Sequence, residues 1–272
     1  PFEDEAQREA FGSGLKNVNL WYTHQLTWVW CLKRVPVGVR PYDQRGWPFF
    51  EWCVARLVKD ADMVLDIGVE GLDACSQYQE LQQKCLITRG PPLTPGVFGS
   101  QLSEKVFTNN ADHDFVRGKY LQTFTEVMAS ASELIYSQLA WGNEELHSVV
   151  AALPWCKSLQ HLYLGGNRIA DASAIANALA SNQTLKTLGL GSNQIADVSS
   201  LGRALASNTA LETLNVSGNR ISDIAALCRG LTKNTTLSTL RIHANSISKA
   251  QQEELQRAWA KQGKDEERLI LF

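Results

Sequence analysis

Residues Leu159–Ile169 read LQHLYLGGNRI, and this stretch decides the fold because it returns three times. It comes back as LKTLGLGSNQI from Leu185, LETLNVSGNRI from Leu211 and LSTLRIHANSI from Leu237. Asn167, Asn193, Asn219 and Asn245 stand 26 residues apart at every step. The segments between them keep the same phase. Ile175, Leu201 and Leu227 correspond, as do Leu179, Leu205 and Leu231; Ala176, Gly202 and Cys228 share a small-residue position, and Asn182, Asn208 and Asn234 share another. A fixed period of this length marks an array in which each unit buries its apolar face against its neighbours.

Each position within a unit has a physical reading. Leu188 and Leu190 alternate as the inward face of a short strand. The following Asn can turn inward because its amide satisfies backbone groups of adjacent turns. The run DASAIANALAS has helical apolar spacing, with Asp171, Asp197 and Asp223 in phase as N-caps. Asn182, Asn208 and Asn234 fall where the helix ends, and a left-handed conformation is expected there. Each unit therefore predicts strand, turn, helix and turn. The fold class is α/β, a solenoid with parallel strands on the concave side and helices on the convex side. The pattern LxxLxLxxNxI resembles the leucine-rich repeat of short, ribonuclease-inhibitor-like type. LGLGSN is not read as a phosphate-binding loop, because it is in register with versions lacking its glycines. A buried leucine at each position contributes roughly 1.5–3 kcal/mol.

The same register names a candidate binding surface. His161, Tyr163 and Gly165, then Thr187, Gly189 and Gly191, then Thr213, Asn215 and Ser217, then Thr239, Arg241 and His243 are expected on the concave side. The set is small and neutral, with no basic stripe or stacked aromatics, so the expected partner is another protein and not nucleic acid. Tyr163 and Arg241 are the expected anchors.

Composition bounds the remainder. The 272 residues carry a formal net charge of -2, which gives no general attraction to nucleic acid or anionic membranes. No apolar run nears the roughly 18 residues that span a bilayer. Cys31, Cys53, Cys75, Cys85, Cys156 and Cys228 contain no CxxC pair, and reduced thiols in a cytoplasmic protein are expected. No metal-ligand cluster or cofactor motif is present, so neither a metal nor a cofactor is expected. The sequons at Asn182 and Asn234 are explained by helix ends, whereas Asn215 falls in a strand. The first residue is Pro1, which reads as a fragment of a longer chain.

Ahead of the repeats, Glu3 to Tyr22 carries a helical stripe of Phe11, Leu15, Val18 and Tyr22. LTWVWCLK and DMVLDIG read as strands, and FFEWCVARLVKD as a helix with Phe50, Val54, Leu57 and Val58 inward. This order suggests an α/β layer with a parallel sheet. In PYDQRGWPFFE, from Pro41 to Glu51, Pro48 is expected at the first helical position, with Glu51 exposed near the positive helix end and Arg45 as its partner. Tyr42, Trp47 and Glu51 in this spacing resemble the Y-x-x-S-x-W-C-x-x-E box of TIR domains. That resemblance implies that Glu51 matches the catalytic carboxylate of NAD-hydrolysing members. Arg45 and Pro48 depart from the box, and no residues match the first two strands of that fold. NLWYTHQLTWVWCLKRVP and FTNNADHDFV also resemble leucine-rich-repeat proteins of unicellular algae and other protists.

The expected division is a partial TIR-like α/β region over 1–70, an irregular linker over 71–111 and a helical N-terminal cap over 112–157. Repeats follow over 158–248 and a C-terminal cap over 249–272. In the middle, Phe115, Tyr120, Phe124, Val127, Leu134 and Leu139 are read as one helix's core positions, with Asp112 or Asn110 as its N-cap. In QQEELQRAWAKQ, Leu255 and Trp259 face inward, and RLILF is expected as a strand at the edge. The function expected is protein binding without catalysis. Its alternatives are the C-terminal part of a TIR-like NAD-consuming or signalling enzyme, and a structural subunit of a larger assembly.

Overall fold

The computed structural model describes residues 4–24, 26–86, 89–261 and 263–271. They form two compact units, Pro1–Met128 and Ala129–Phe272. Glu3, the Phe11 side chain and Phe272 lie outside the described residues.

In the first unit, helix α1 (Glu5–Thr23) starts at Asp4, whose carboxylate accepts from the Gln7 N–H at 2.7 Å. Strand β1 (Val29–Cys31), helix α2 (Gly46–Ala55) and strand β2 (Val64–Asp66) follow. The two strands pair in parallel, with Val29 opposite Val64 and Cys31 opposite Asp66. A parallel pair needs a crossover, and α2 supplies it. Cys31, Trp52, Ala55 and Val64 form its core, with Tyr22, Val29 and Tyr42 packed against them.

Residues 71–111 are not an irregular linker. They contain helices α3 (Tyr78–Leu86) and α4 (Pro95–Leu102), the latter with proline at its first position. Helix α5 (Asp112–Ser130) follows. Phe98 of α4 stacks on Tyr120 of α5 with centroids 3.6 Å apart and on Phe49 at 5.2 Å, and the Tyr120 hydroxyl donates to the Leu93 carbonyl at 2.7 Å. The apolar residues of this region lack one period because they serve two short helices. Asp112 is itself the first residue of α5, and its carboxylate accepts from the Trp47 indole N–H at 2.9 Å. The Asn109 side chain, not that of Asn110, accepts from the Ala111 N–H at 3.2 Å.

In the second unit, strand β3 (Glu133–Ile135) corrects the expected all-helical cap. Leu134 and Leu139 are buried as expected, but outside the helix; Phe115, expected inside, is 40% exposed. Helix α6 (Asn143–Ala152) completes one further repeat. Then come β4 (His161–Tyr163), α7 (Ser173–Ser181), β5 (Thr187–Gly189), α8 (Ser199–Leu205), β6 (Thr213–Asn215) and α9 (Ala225–Leu231). Strand β7 (Thr239–Arg241), helix α10 (Lys249–Ala260) and strand β8 (Leu269–Ile270) end the unit. The six strands form one parallel sheet in chain order. Leu162, Leu188, Leu214 and Leu240 align across it and are fully buried.

Two asparagine ladders hold the repeats together. In the first, Asn193 donates to the carbonyls of Leu164 at 2.9 Å and Leu190 at 3.1 Å, and accepts from the Ile169 N–H at 3.0 Å. Asn219 does the same for Leu190, Val216 and Ile195. The second ladder corrects the expected left-handed helix ends. Asn182 is extended, at φ -76 and ψ 129, and neither Asn208 nor Asn234 has a positive φ. Their side chains turn the backbone instead. Asn208 donates to the carbonyls of Leu179 and Asn182, both at 2.8 Å, and accepts from the N–H groups of Ala210 and Leu211 at 3.0 and 2.7 Å. Asn234 repeats this one turn on.

The left-handed residues lie elsewhere, just before the inward asparagines. Gly166, Ser192, Gly218 and Ala244 have φ of 69, 55, 63 and 53. Asp171, Asp197 and Asp223 act one residue before the formal N-cap, accepting from Ser173, Ser199 and Ala225 N–H at 2.7, 2.7 and 2.9 Å. Helix α10 opens with a Ser248–Gln251 capping box and buries Leu255 and Trp259 completely. All six cysteines are free thiols.

Candidate functional site

Alternation along β4–β7 separates two faces. Leucines at the even positions enter the core, so the residues beside them point out of the sheet. His161, Thr187, Thr213 and Thr239 align in one row, and Tyr163, Gly189, Asn215 and Arg241 in the next. Neighbouring parallel strands lie about 4.8 Å apart, so each row is a continuous strip. The structure thus aligns eight of the twelve residues expected on the concave side, and Gly165, Gly191, Ser217 and His243 follow them along the same strand lines. Of the eight aligned residues, Arg241 is exposed, Gly189 is covered, and the others are half-buried.

Gly189 is covered by its neighbour: a Cβ there would stand 3.0 Å from Cδ1 of Tyr163. At Gly191 a Cβ would meet the Asn215 amide and the Ser217 hydroxyl at 3.1 Å. Side chains flanking these glycines therefore rim a hollow of about 350 Å³, lined by Ser137, Tyr163, Gly165, Gly191, Asn215 and Ser217 among others. The Asn215 side-chain Oδ1 is already engaged by the Ser217 N–H at 3.0 Å and hydroxyl at 2.7 Å. Lys186 and Glu212 pair at 3.3 Å beside the threonine row, leaving the strip without net charge there.

Strand β3 extends the surface beyond the sequence-based set. Glu133 continues the row of His161 and Ile135 that of Tyr163. The signal was the alternation of Leu134 and Tyr136, but the step from Leu134 to Leu162 is 28 residues and the asparagine is missing. The face therefore carries an acid at one end, Glu133, and a cation at the other, Arg241.

Glu51 is placed differently from its expectation. Helix α2 begins at Gly46, with Arg45 as N-cap, so Pro48 is its third residue and Glu51 lies in the second turn. The earlier start follows from Gly46, whose N–H donates to the Val106 carbonyl at 3.0 Å and where a Cβ would lie 2.0 Å from the Phe107 ring. Glu51 is half-buried rather than exposed, and burial pushes its carboxyl up despite a hydrogen bond donated by Tyr22 and the Arg45 charge. The Tyr22 hydroxyl is pushed up to about 12 by burial and by the Glu51 charge. Beside them the Tyr42 hydroxyl donates to the Cys31 thiol, and burial raises both. This is a packed polar cluster. Glu51 lines neither the hollow of about 460 Å³ beside Arg40, Arg45 and Trp47 nor that of about 210 Å³ beside Lys33, Tyr42 and Trp52.

Comparison with known families fits this geometry. A profile of leucine-rich repeats in two copies matches residues 183–229, and a single leucine-rich repeat matches 156–176. The second unit is a leucine-rich-repeat solenoid. Similar solved structures include actin-binding site 2 of leiomodin-1, 23% identical, with TM-score 0.45 over 52% of this chain and 86% of that one. The tropomodulin C-terminal domain of Caenorhabditis elegans is 16% identical, with TM-score 0.44 over 52% of this chain and 90% of that one. An internalin of Listeria monocytogenes is 20% identical, with TM-score 0.36 over 56% of this chain and 44% of that one. No curated protein sequence matches the chain. No helix among the described residues is long and apolar enough to cross a membrane.

Proposed function

We propose that the leucine-rich-repeat solenoid is a protein-binding module and that its strand face is the contact surface. The observation supporting this reading is the alignment of His161, Thr187, Thr213 and Thr239 beside Tyr163, Gly189, Asn215 and Arg241 on one sheet. A rigid scaffold holds these side chains, so little ordering entropy opposes binding. Tyr163 and Arg241 are of the types that dominate interface energies. The hollow rimmed by Tyr163 and Asn215 suits an inserted side chain of the partner. The uncharged middle and opposed ends at Glu133 and Arg241 favour a partner segment with a cation toward Glu133 and an acid toward Arg241. Function then rests on recognition, and the Glu51 cluster on packing, not on NAD cleavage.

The test is the affinity for a captured and purified partner. Tyr163→Ala with Arg241→Ala is expected to weaken it at least tenfold, on the order of 1.4 kcal/mol or more. Arg203→Ala with Arg229→Ala, on exposed positions of α8 and α9, is expected to leave it unchanged. Unchanged affinity in the first variant and loss in the second would reject the strand-face assignment.

A further inference from the structure

The first strand of the first unit, β1, is apolar on the side that should be polar. From Leu26 to Leu32 the chain alternates, yet Leu26, Trp28, Trp30 and Leu32 are 82%, 47%, 64% and 61% exposed. The intervening Cys31 and Val29 pack into the core with Trp52 and Val64. A strand apolar on both sides is the pattern of a parallel sheet covered on both faces. Here α1 and α2 take up one side. Trp21, 74% exposed, adjoins the strand's entry, because the Thr27 hydroxyl donates to its carbonyl at 3.0 Å. Tyr78, 52% exposed, lies edge-on to Trp28 with centroids 6.5 Å apart.

We propose that this face pairs with the same face of a second copy of the chain, forming a two-fold dimer. Area is the first argument. At roughly 150–250 Å² per aromatic side chain, the exposed parts of the four aromatics together with the two leucines present on the order of 700 Å². A standard interface takes about 800 Å² from each partner, and patches this large on a monomer mark interaction sites. Charge is the second. No Asp or Glu occurs between Ala10 and Tyr42, whereas Lys16, Lys33, Arg34 and Arg40 do. Lys33 is neutralised by Asp66 at 2.5 Å and Arg34 by Glu70 at 3.3 Å. The two cations adjacent to Leu32 are thus paired, so two such faces meet with these charges compensated and offer them less to an anionic lipid surface. A two-fold contact of this kind is isologous, with the same face serving on both copies.

The experiment is sedimentation equilibrium of the full chain over roughly 1–200 µM, a range set by interfaces of this size. The expected mass rises from 30.1 kDa to twice that value, with a blue shift of tryptophan emission. Trp30→Glu is expected to weaken the dimer at least tenfold. Leu26→Lys, at the most exposed of these positions, is expected to weaken it also and cannot disturb the core if Trp30→Glu does. A mass of 30.1 kDa at every concentration, or a dimer unaffected by both variants, overturns the proposal. So does a monomer that sediments with phosphatidylserine vesicles, which would make the face a membrane contact.

Discussion

Replacing Asn219 by alanine probes how the repeats are joined. Its Nδ2 donates to the carbonyls of Leu190 and Val216, both at 3.0 Å, and its Oδ1 accepts from the Ile195 N–H at 2.9 Å. The two carbonyls are shared. Leu190 also accepts from Asn193 at 3.1 Å, and Val216 from Asn245 at 2.9 Å. Both therefore keep one partner in the variant. Ile195 N–H has no such reserve and becomes a buried orphan. An orphaned buried donor costs about 1–3 kcal/mol, and each lost hydrogen bond about 1 kcal/mol. The expected loss is therefore roughly 2–4 kcal/mol. Asn215→Ala breaks the two bonds from Ser217 on the half-buried strand face and should cost less, about 1–2 kcal/mol. Urea unfolding gives the total, and native-state hydrogen exchange at the Ile195 amide reads the local opening, which matters in a chain of two units. An unchanged Ile195 exchange rate with a shift below about 0.5 kcal/mol would refute the ladder account.

Leu188→Asp places a carboxylate in the solenoid core and should cost several kcal/mol, read as loss of the solenoid's cooperative transition; a parent-like melt would contradict the register. Ala244→Gly relieves a left-handed φ of 53 and should stabilise by roughly 1 kcal/mol, measured as a raised urea midpoint. Glu51 has a folded-state pKa above its unfolded one, so its ionised form opposes folding, and stability falls as pH rises through the folded value. Glu51→Gln should therefore match or exceed the parent's stability at pH 7, and that advantage should vanish as pH falls below the ordinary carboxyl range. A pH-independent difference would disprove the burial argument. The same pair should release no nicotinamide from NAD above background, and release abolished by the substitution would restore the enzymatic reading.

The solenoid was legible because its period is strict. Four asparagines in phase set the strands, and the alternation beside them set which side chains share a face. Strand β3 escaped because Leu139–Trp141 stands where the asparagine would, and the step there is two residues longer. The helix-end asparagines sit where the sequence puts them but turn the chain by side-chain bonds, not by a left-handed backbone. Residue type alone does not distinguish a left-handed turn from an extended one held by side-chain bonds to two backbone N–H groups. Glu51 reads as exposed from the local sequence because its cover, Tyr22, comes from a helix far back in the chain. The earlier start of α2 likewise depends on Phe107 lying against Gly46, a contact between distant residues.

The most direct test of the central claim is hydrogen exchange of the protein with and without a purified partner. Recognition through the strand face predicts slowed exchange in β4–β7 and the turns at Gly166, Ser192 and Gly218, with α7–α9 unchanged. Slowing confined to α7–α9, or to the first unit, would contradict it.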